Sequence, residues 1–173
     1  MISQKLVDLI EQNAEELAKR FMKDLLSREE TRYYKKVPED RTHESVFEVY
    51  RNLGSWLSRK RSIKEELQKH YMKLGRQRYR ENIPLNEVVM AYLLAKRHIW
   101  LFVLDKQIID SAYELQTALD LNNRVVLFFD RVIFFITKGY EEELKKDLEK
   151  AQKGASPNKP GLLSRLLGRK GVE

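Results

Sequence analysis

Residues 73–92 read KLGRQRYRENIPLNEVVMAY, and this stretch decides the fold because it joins two helical patterns through one turn. The pattern before the turn, over about 63–81, keeps Leu67 and Leu74 on one inward stripe at helical spacing. Pro84 interrupts that pattern, and proline is well suited to the start of a new helix. The sequence therefore predicts two consecutive helices that meet at this turn.

The same spacing of apolar residues continues through the rest of the chain and requires no strand. It predicts about five helices, over roughly 3–27, 38–57, 63–81, 83–105 and 110–150. Short polar breaks separate them, so neighbouring helices are expected to run antiparallel. We predict an all-α antiparallel bundle, with a four-helix up-down bundle as the alternative.

Composition sets limits on the function. The chain has 173 residues, which suits one domain with a sizeable core. Because it has no cysteine, disulfide scaffolds, thiolate nucleophiles, iron–sulfur clusters and cysteine-ligated zinc are excluded. Hydrophobic residues make up 42% and charged residues 34% of the chain, which is typical of a folded helical protein rather than a disordered one.

Glycine and proline divide the chain, since six of its eleven fall within the last 23 residues. We predict a helical sensor-like domain over 1–150 and a flexible linker with a basic amphipathic tail over 151–173. Of the net charge of +7, the tail carries +4. The tail is predicted to dock into a partner or touch an anionic membrane surface, or to have no role. Its candidate residues are Leu162, Leu163, Arg165, Leu166, Leu167, Arg169 and Lys170.

No segment has the pattern of a membrane span or a secretory signal. The longest nearly apolar run, Val125 to Ile136, has 12 residues, whereas a transmembrane helix needs about 18. The expected location is the cytoplasm, and peripheral membrane association through the tail is the alternative.

Two helices are apolar over more of their circumference than one packing partner can cover. Either the fourth and fifth helices lie at the centre of the bundle, or their outer faces meet a second copy of the chain. We favour the homodimer. The candidate interface residues are Met90, Leu94, Leu101, Phe128, Val132 and Phe135.

The three histidines give no catalytic or metal signature. His70 follows Glu66 at a four-residue spacing, but two residues are too few for a metal site. Near His43 and His98 no nucleophile and base stand at a spacing that would build a catalytic triad, and no glycine-rich phosphate loop is present. We therefore predict no enzyme activity, no metal and no cofactor.

The opening stretch resembles a known family. Residues 73–92, together with NAEELAKRF at 13–21 and LNNRVVLFFDRVIFFITKGYEEEL at 121–144, are similar to the N-terminal domain of RsbRD-type stressosome co-antagonist proteins. A more distant resemblance is to globin-coupled sensors. These resemblances imply a globin-like helical fold and a signalling role through protein partners.

The globin-coupled sensors carry a haem-ligating histidine three residues after a Leu-Gly pair. Here Leu74-Gly75 matches that pair, but the ligand position is Arg78. Arginine is permanently cationic and does not ligate iron, so the resemblance implies a domain without haem.

Arg78 also continues the inward stripe of its helix, and a buried guanidinium needs an anionic partner. One interpretation is a structural pair with Glu44 or Glu48 on the second helix. The other is a pocket for a small anion, with Tyr71 and Tyr92 as its walls.

The leading hypothesis is a non-enzymatic sensory or regulatory domain that binds another protein, with a small anion as a further ligand. An adaptor that reaches a membrane through its tail is the alternative. A nucleic-acid-binding regulator is the weakest, because it rests on one basic stripe of the third helix, whose acidic neighbours interrupt the field. That stripe is Lys69, Lys73, Arg76 and Arg80.

Overall fold

A computed structural model describes residues 2–57 and 61–154, and throughout these ranges the chain is helical without a strand. The predicted all-α bundle is confirmed. The helices are α1 Ile2–Gln12, α2 Ala14–Ser27, α3 Glu39–Arg51, α4 Leu53–Trp56, α5 Arg61–Arg80, α6 Leu85–Asp105 and α7 Ala112–Gly154, with a 3₁₀ segment at Glu29–Lys36.

The first predicted helix is in fact two helices. Asn13 separates α1 from α2, and its side-chain amide donates a hydrogen bond to the carbonyl of Leu9 at 2.8 Å. Asparagine often competes with the helix for backbone groups in this way. The apolar stripe still continues across the break, because Ile10 and Leu17 are both fully buried.

The polar break before α3 also has structure. The 3₁₀ segment is tied to α2 by the Thr31 hydroxyl, which donates to the carbonyl of Leu25 at 2.6 Å. It is tied to α6 by the amide of Tyr33, which donates to the buried carboxylate of Glu87 at 2.8 Å. These two bonds fix the polar connection against the core.

Helices α5, α6 and α7 follow one another antiparallel. The predicted turn is confirmed, since α5 ends at Arg80, Asn82 adopts a left-handed φ of 56°, and α6 begins directly after Pro84. The hydroxyl of Tyr140 on α7 donates to the carbonyl of Ile83 at 3.0 Å, which places late α7 beside the start of α6. Consequently α5 and α7 run in the same direction.

Helices α5 and α7 cross where each has a glycine. A Cβ on Gly75 would collide with the carbonyl oxygen of Ile136, and a Cβ on Gly139 would collide with that of Met72. The two backbones therefore pack directly on each other, which no larger residue permits. Helix α7 continues past this crossing to Gly154, and residues 155–173 lie outside the described ranges.

Candidate functional site

Arg78 is buried near the end of α5, with only 2% of its surface exposed, as the inward stripe predicts. Its Nη1 atom donates to a carboxylate oxygen of Glu81 at 2.7 Å. Glu81 also accepts hydrogen bonds from Arg41 and Gln77, each at 2.9 Å. The buried cation therefore has its anionic partner within the chain.

The prediction that Arg78 pairs with Glu44 or Glu48 is wrong. Glu44 and Glu48 both lie on the exposed side of α3, and Glu48 accepts a hydrogen bond from the amide of Asn52 instead. Glu81 follows Arg78 by three residues, directly past the end of α5, and from there its carboxylate reaches the guanidinium.

The ionised state of Glu81 is favoured in this arrangement. Burial alone would raise the pKa of the Glu81 carboxyl, but hydrogen bonds from Arg78 and Gln77 outweigh that effect. The pKa of Glu81 is consequently lowered, and the pair with Arg78 remains charged near neutral pH.

A small cavity of about 20 Å³ adjoins the guanidinium of Arg78. The Nε atom of Arg78 and the hydroxyl of Thr42 are buried there without a hydrogen-bond partner in the described ranges. The space is about that of a single water molecule, too small for a polyatomic anion. Arg78 also lines an open hollow of about 540 Å³, where the carboxylates of Asp40 and Glu44 disfavour an anion. The polar side chains that line the cavity are Tyr34, Thr42, Ser45, Arg78 and Tyr92.

The three predicted pocket residues are only partly brought together. Arg78 and Tyr92 line the same cavity. Tyr71 lies on the far side of Tyr92, where the two rings meet edge to face at 6.2 Å, and it packs against Trp56 and Phe128. Tyr71 is therefore part of an aromatic core cluster rather than a wall of the cavity.

Sequence reasoning missed three polar lining residues, which are Tyr34, Thr42 and Ser45, and the first two show why. Tyr34 comes from the polar break, and Thr42 from the first turns of α3, where no apolar stripe marks an inward position. Only the fold brings them beside Arg78.

Three of the six residues predicted at a dimer interface are instead in the core of the protomer. Leu94 and Phe128 are each 4% exposed and Val132 is fully buried, so helices of the same chain already cover them. Met90 and Phe135 are half-buried, and Leu101 is exposed. The interface assignment of Leu94, Phe128 and Val132 is therefore wrong.

Several other leucines are exposed on α6 and α7, and we call the surface that they form the outer face. This surface borders a shallow groove between the two helices, lined in part by Trp100, Asn122 and Val126. The sequence assignment contained only Leu101 of this set, because on α7 it followed a largely buried stripe on the opposite side of the helix. The outer face consists of Leu93, Leu101 and Leu104 from α6 and Leu115 and Leu119 from α7.

Two of the four cations in the basic stripe of α5 are paired with carboxylates of α7. Arg76 pairs with Glu142 at 2.9 Å, and Arg80 pairs with Glu143 at 2.7 Å, both across the crossing with α7. Lys69 and Lys73 remain exposed. Half of the predicted nucleic-acid stripe thus has a structural role.

Two of the three histidines lie beside a carboxylate of another helix. Nε2 of His98 lies 3.0 Å from Asp24, and Nε2 of His43 lies 3.3 Å from Glu15. Over residues 2–57 and 61–154, no group of three or more potential ligands could hold a metal ion.

The predicted tail, Leu162 to Lys170, lies outside the described residues. In the part of the chain that the structure describes, no helix is both long enough and apolar enough to cross a bilayer.

Comparison with protein families identifies a match to most of the helical body. The family model of the RsbT co-antagonist protein rsbRD N-terminal domain matches residues 15–153. Neither the curated proteins nor the solved structures contain a match. The family indicates a signalling or regulatory role that involves protein–protein interactions. The chain therefore belongs to the RsbRD N-terminal domain family.

Proposed function

We propose that this chain is a haem-free, non-enzymatic regulatory domain that acts as a homodimer through its outer face. The observation that carries the proposal is the row of exposed leucines on α6 and on the first half of α7. Contiguous apolar surface of this kind marks interaction sites in proteins that otherwise expose charged residues.

The geometry of the outer face suits a two-fold interface. Two antiparallel helices present it, so a second copy could lay the same pair of helices against it and form a four-helix contact. The exposed leucines would then be buried on both copies. A regulatory signal that shifts α7 would be felt across such an interface.

Sedimentation equilibrium on matched variants tests the dimer. Leu119 lies on the outer face and is 55% exposed, while Leu148 lies on the same helix and is 53% exposed. The 29 residues between them correspond to about 44 Å along α7. We expect Leu119→Glu to weaken dimerisation at least tenfold, because it places a carboxylate in an apolar contact, and Leu148→Glu to leave it unchanged.

A monomeric wild-type protein at micromolar concentration would contradict the dimer. Equal effects of the two substitutions would place the contact elsewhere on α7.

The absence of haem is supported by the surroundings of Arg78. The residue at the ligand position is a cation held by Glu81, and the cavity beside it has room for about one water molecule. We expect titration with haemin to give no stoichiometric Soret band. The variant Arg78→His should also give no such band, because it supplies an iron ligand but leaves too little space for the haem. Circular dichroism would show that this variant is folded, and a tight one-to-one band in either protein would contradict the proposal.

A further inference from the structure

A further hollow lies away from Arg78 and away from the outer face. It is a groove of about 590 Å³ between α4, the first turns of α5 and the middle of α7. Its volume falls within the range of about 300–1,000 Å³ that is typical of small-molecule sites.

The floor of this groove is apolar and largely aromatic. Trp56 and Phe128 stack at 6.3 Å between ring centroids with an angle of 25° between their planes, and Leu67 is buried beside them. Because Trp56 also packs on Tyr71 at 6.0 Å, the core holds this wall in place. The floor is therefore formed before any ligand arrives.

The charges around the groove are mainly positive. Lys64, Arg124 and Arg131 line it, against one acid, Glu65. The Nη2 atom of Arg124 donates to the carbonyl of Leu57 at 3.3 Å. In the described ranges none of the three cations has an ion pair with a carboxylate. The groove thus combines an apolar floor with three cations that have no carboxylate partner among residues 2–57 and 61–154.

The tail of the chain does not suit this groove. The tail is basic, so it carries the same sign of charge as the rim. Two surfaces of like charge repel each other, so the tail gains no electrostatic attraction at the rim.

We propose that the groove binds an amphiphilic carboxylate, with a hydrocarbon body on the aromatic floor and its carboxylate among the rim arginines. Guanidinium groups bind carboxylates through paired hydrogen bonds, and the bounded groove suits one chain rather than a membrane plane. This inference goes beyond the proposed function and does not depend on the dimer.

Tryptophan fluorescence gives a direct readout, because the chain has two tryptophans and only Trp56 lines the groove. In the variant Trp100→Phe, decanoate below its micelle concentration should cause a saturable change in Trp56 emission. Decanol, which lacks the charge, should bind at least tenfold more weakly. Calorimetric titration of the unmodified protein provides the same comparison without the tryptophan substitution.

Matched variants locate the site. Arg131→Glu should weaken decanoate binding at least tenfold, while Lys145→Glu, an exposed cation 14 residues farther along α7, should leave it unchanged. Anionic vesicles free of fatty acid should produce no equivalent saturation. The inference is overturned if decanoate does not saturate, if decanol binds as tightly, if vesicles bind in its place, or if Lys145→Glu has the larger effect. These results leave the sedimentation test of the dimer untouched.

Discussion

Helix α7 has two sides that differ sharply in how they are covered. Toward α5 it packs backbone on backbone at Gly75 and Gly139, and ion pairs from Arg76 and Arg80 flank that crossing. On its outer side, by contrast, Leu119 and its neighbours are exposed to solvent.

This difference separates what folds the domain from what it offers to partners. The crossing at Gly75 and Gly139 has no room for added atoms, and Arg76 and Arg80 beside it find their charge partners within the chain. The outer side carries apolar surface without such partners, and burying it would gain about 25 cal/mol for each Å² removed from water. Helix α7 is thus held by α5 and is free to meet a second subunit.

The largest expected effect comes from filling the crossing. Gly139→Ala should destabilise the fold by at least about 3 kcal/mol, because its Cβ would meet the backbone of Met72 and neither helix can yield without moving the other. The usual gain of about 1 kcal/mol for replacing a helical glycine by alanine is too small to offset this. Urea unfolding of the purified protein measures the change.

Gly54→Ala is the matched control. Its Cβ would meet side-chain atoms rather than backbone, 2.9 Å from Val7 and 3.1 Å from Glu11, whose carboxylate accepts a hydrogen bond from the Gly54 amide. Side chains shift more easily than a helix backbone, so we expect a loss of at most about 1–2 kcal/mol, smaller than that at Gly139. Equal losses at Gly54 and Gly139 would contradict the view that the crossing is the tightest contact of α7.

A smaller effect is expected from the ion pairs at the crossing. The hydrogen bond from Arg80 holds the pKa of Glu143 below its ordinary value, with burial acting in the opposite direction. A lowered pKa in the folded state stabilises the fold above the ordinary pKa of about 4.5, and this contribution is lost as the pH falls through the folded value. Glu143→Gln should therefore be slightly less stable than the wild type at pH 7.

The stability difference between Glu143→Gln and the wild type should close in acid, as thermal unfolding between pH 7 and pH 3 would show. Glu141→Gln, an exposed neighbour on the same helix, should follow the wild type throughout. A difference that stays constant with pH would mean that the ionised pair with Arg80 is not its cause.

Much of the inner side was predictable from the sequence. Apolar spacing correctly places Leu67 and Tyr71 in the core and Arg78 facing inward, because all three follow one helical stripe. The spacing of apolar residues does not predict that Gly75 and Gly139 meet. The two glycines are far apart in the chain, and each helix continues through its glycine without a break.

The outer side was harder to predict. A helix with apolar residues around most of its circumference gives no signal of which stripe its own chain covers, and Leu94 was assigned outward for this reason. The partner of Arg78 was equally ambiguous, because several carboxylates lie within reach in sequence and only the end of α5 turns Glu81 toward the guanidinium.

The claim that the outer face joins two copies of the chain is tested most directly by distances between spin labels on those copies. The chain has no cysteine, so Arg97→Cys at the rim of the outer face and Lys69→Cys on the exposed side of α5 can each be labelled alone. If the outer face joins two copies, the labels at position 97 should lie within about two helix diameters, roughly 20–24 Å, and those at position 69 much farther apart. A short distance at position 69 with none at position 97, or no coupling at either, would contradict the account.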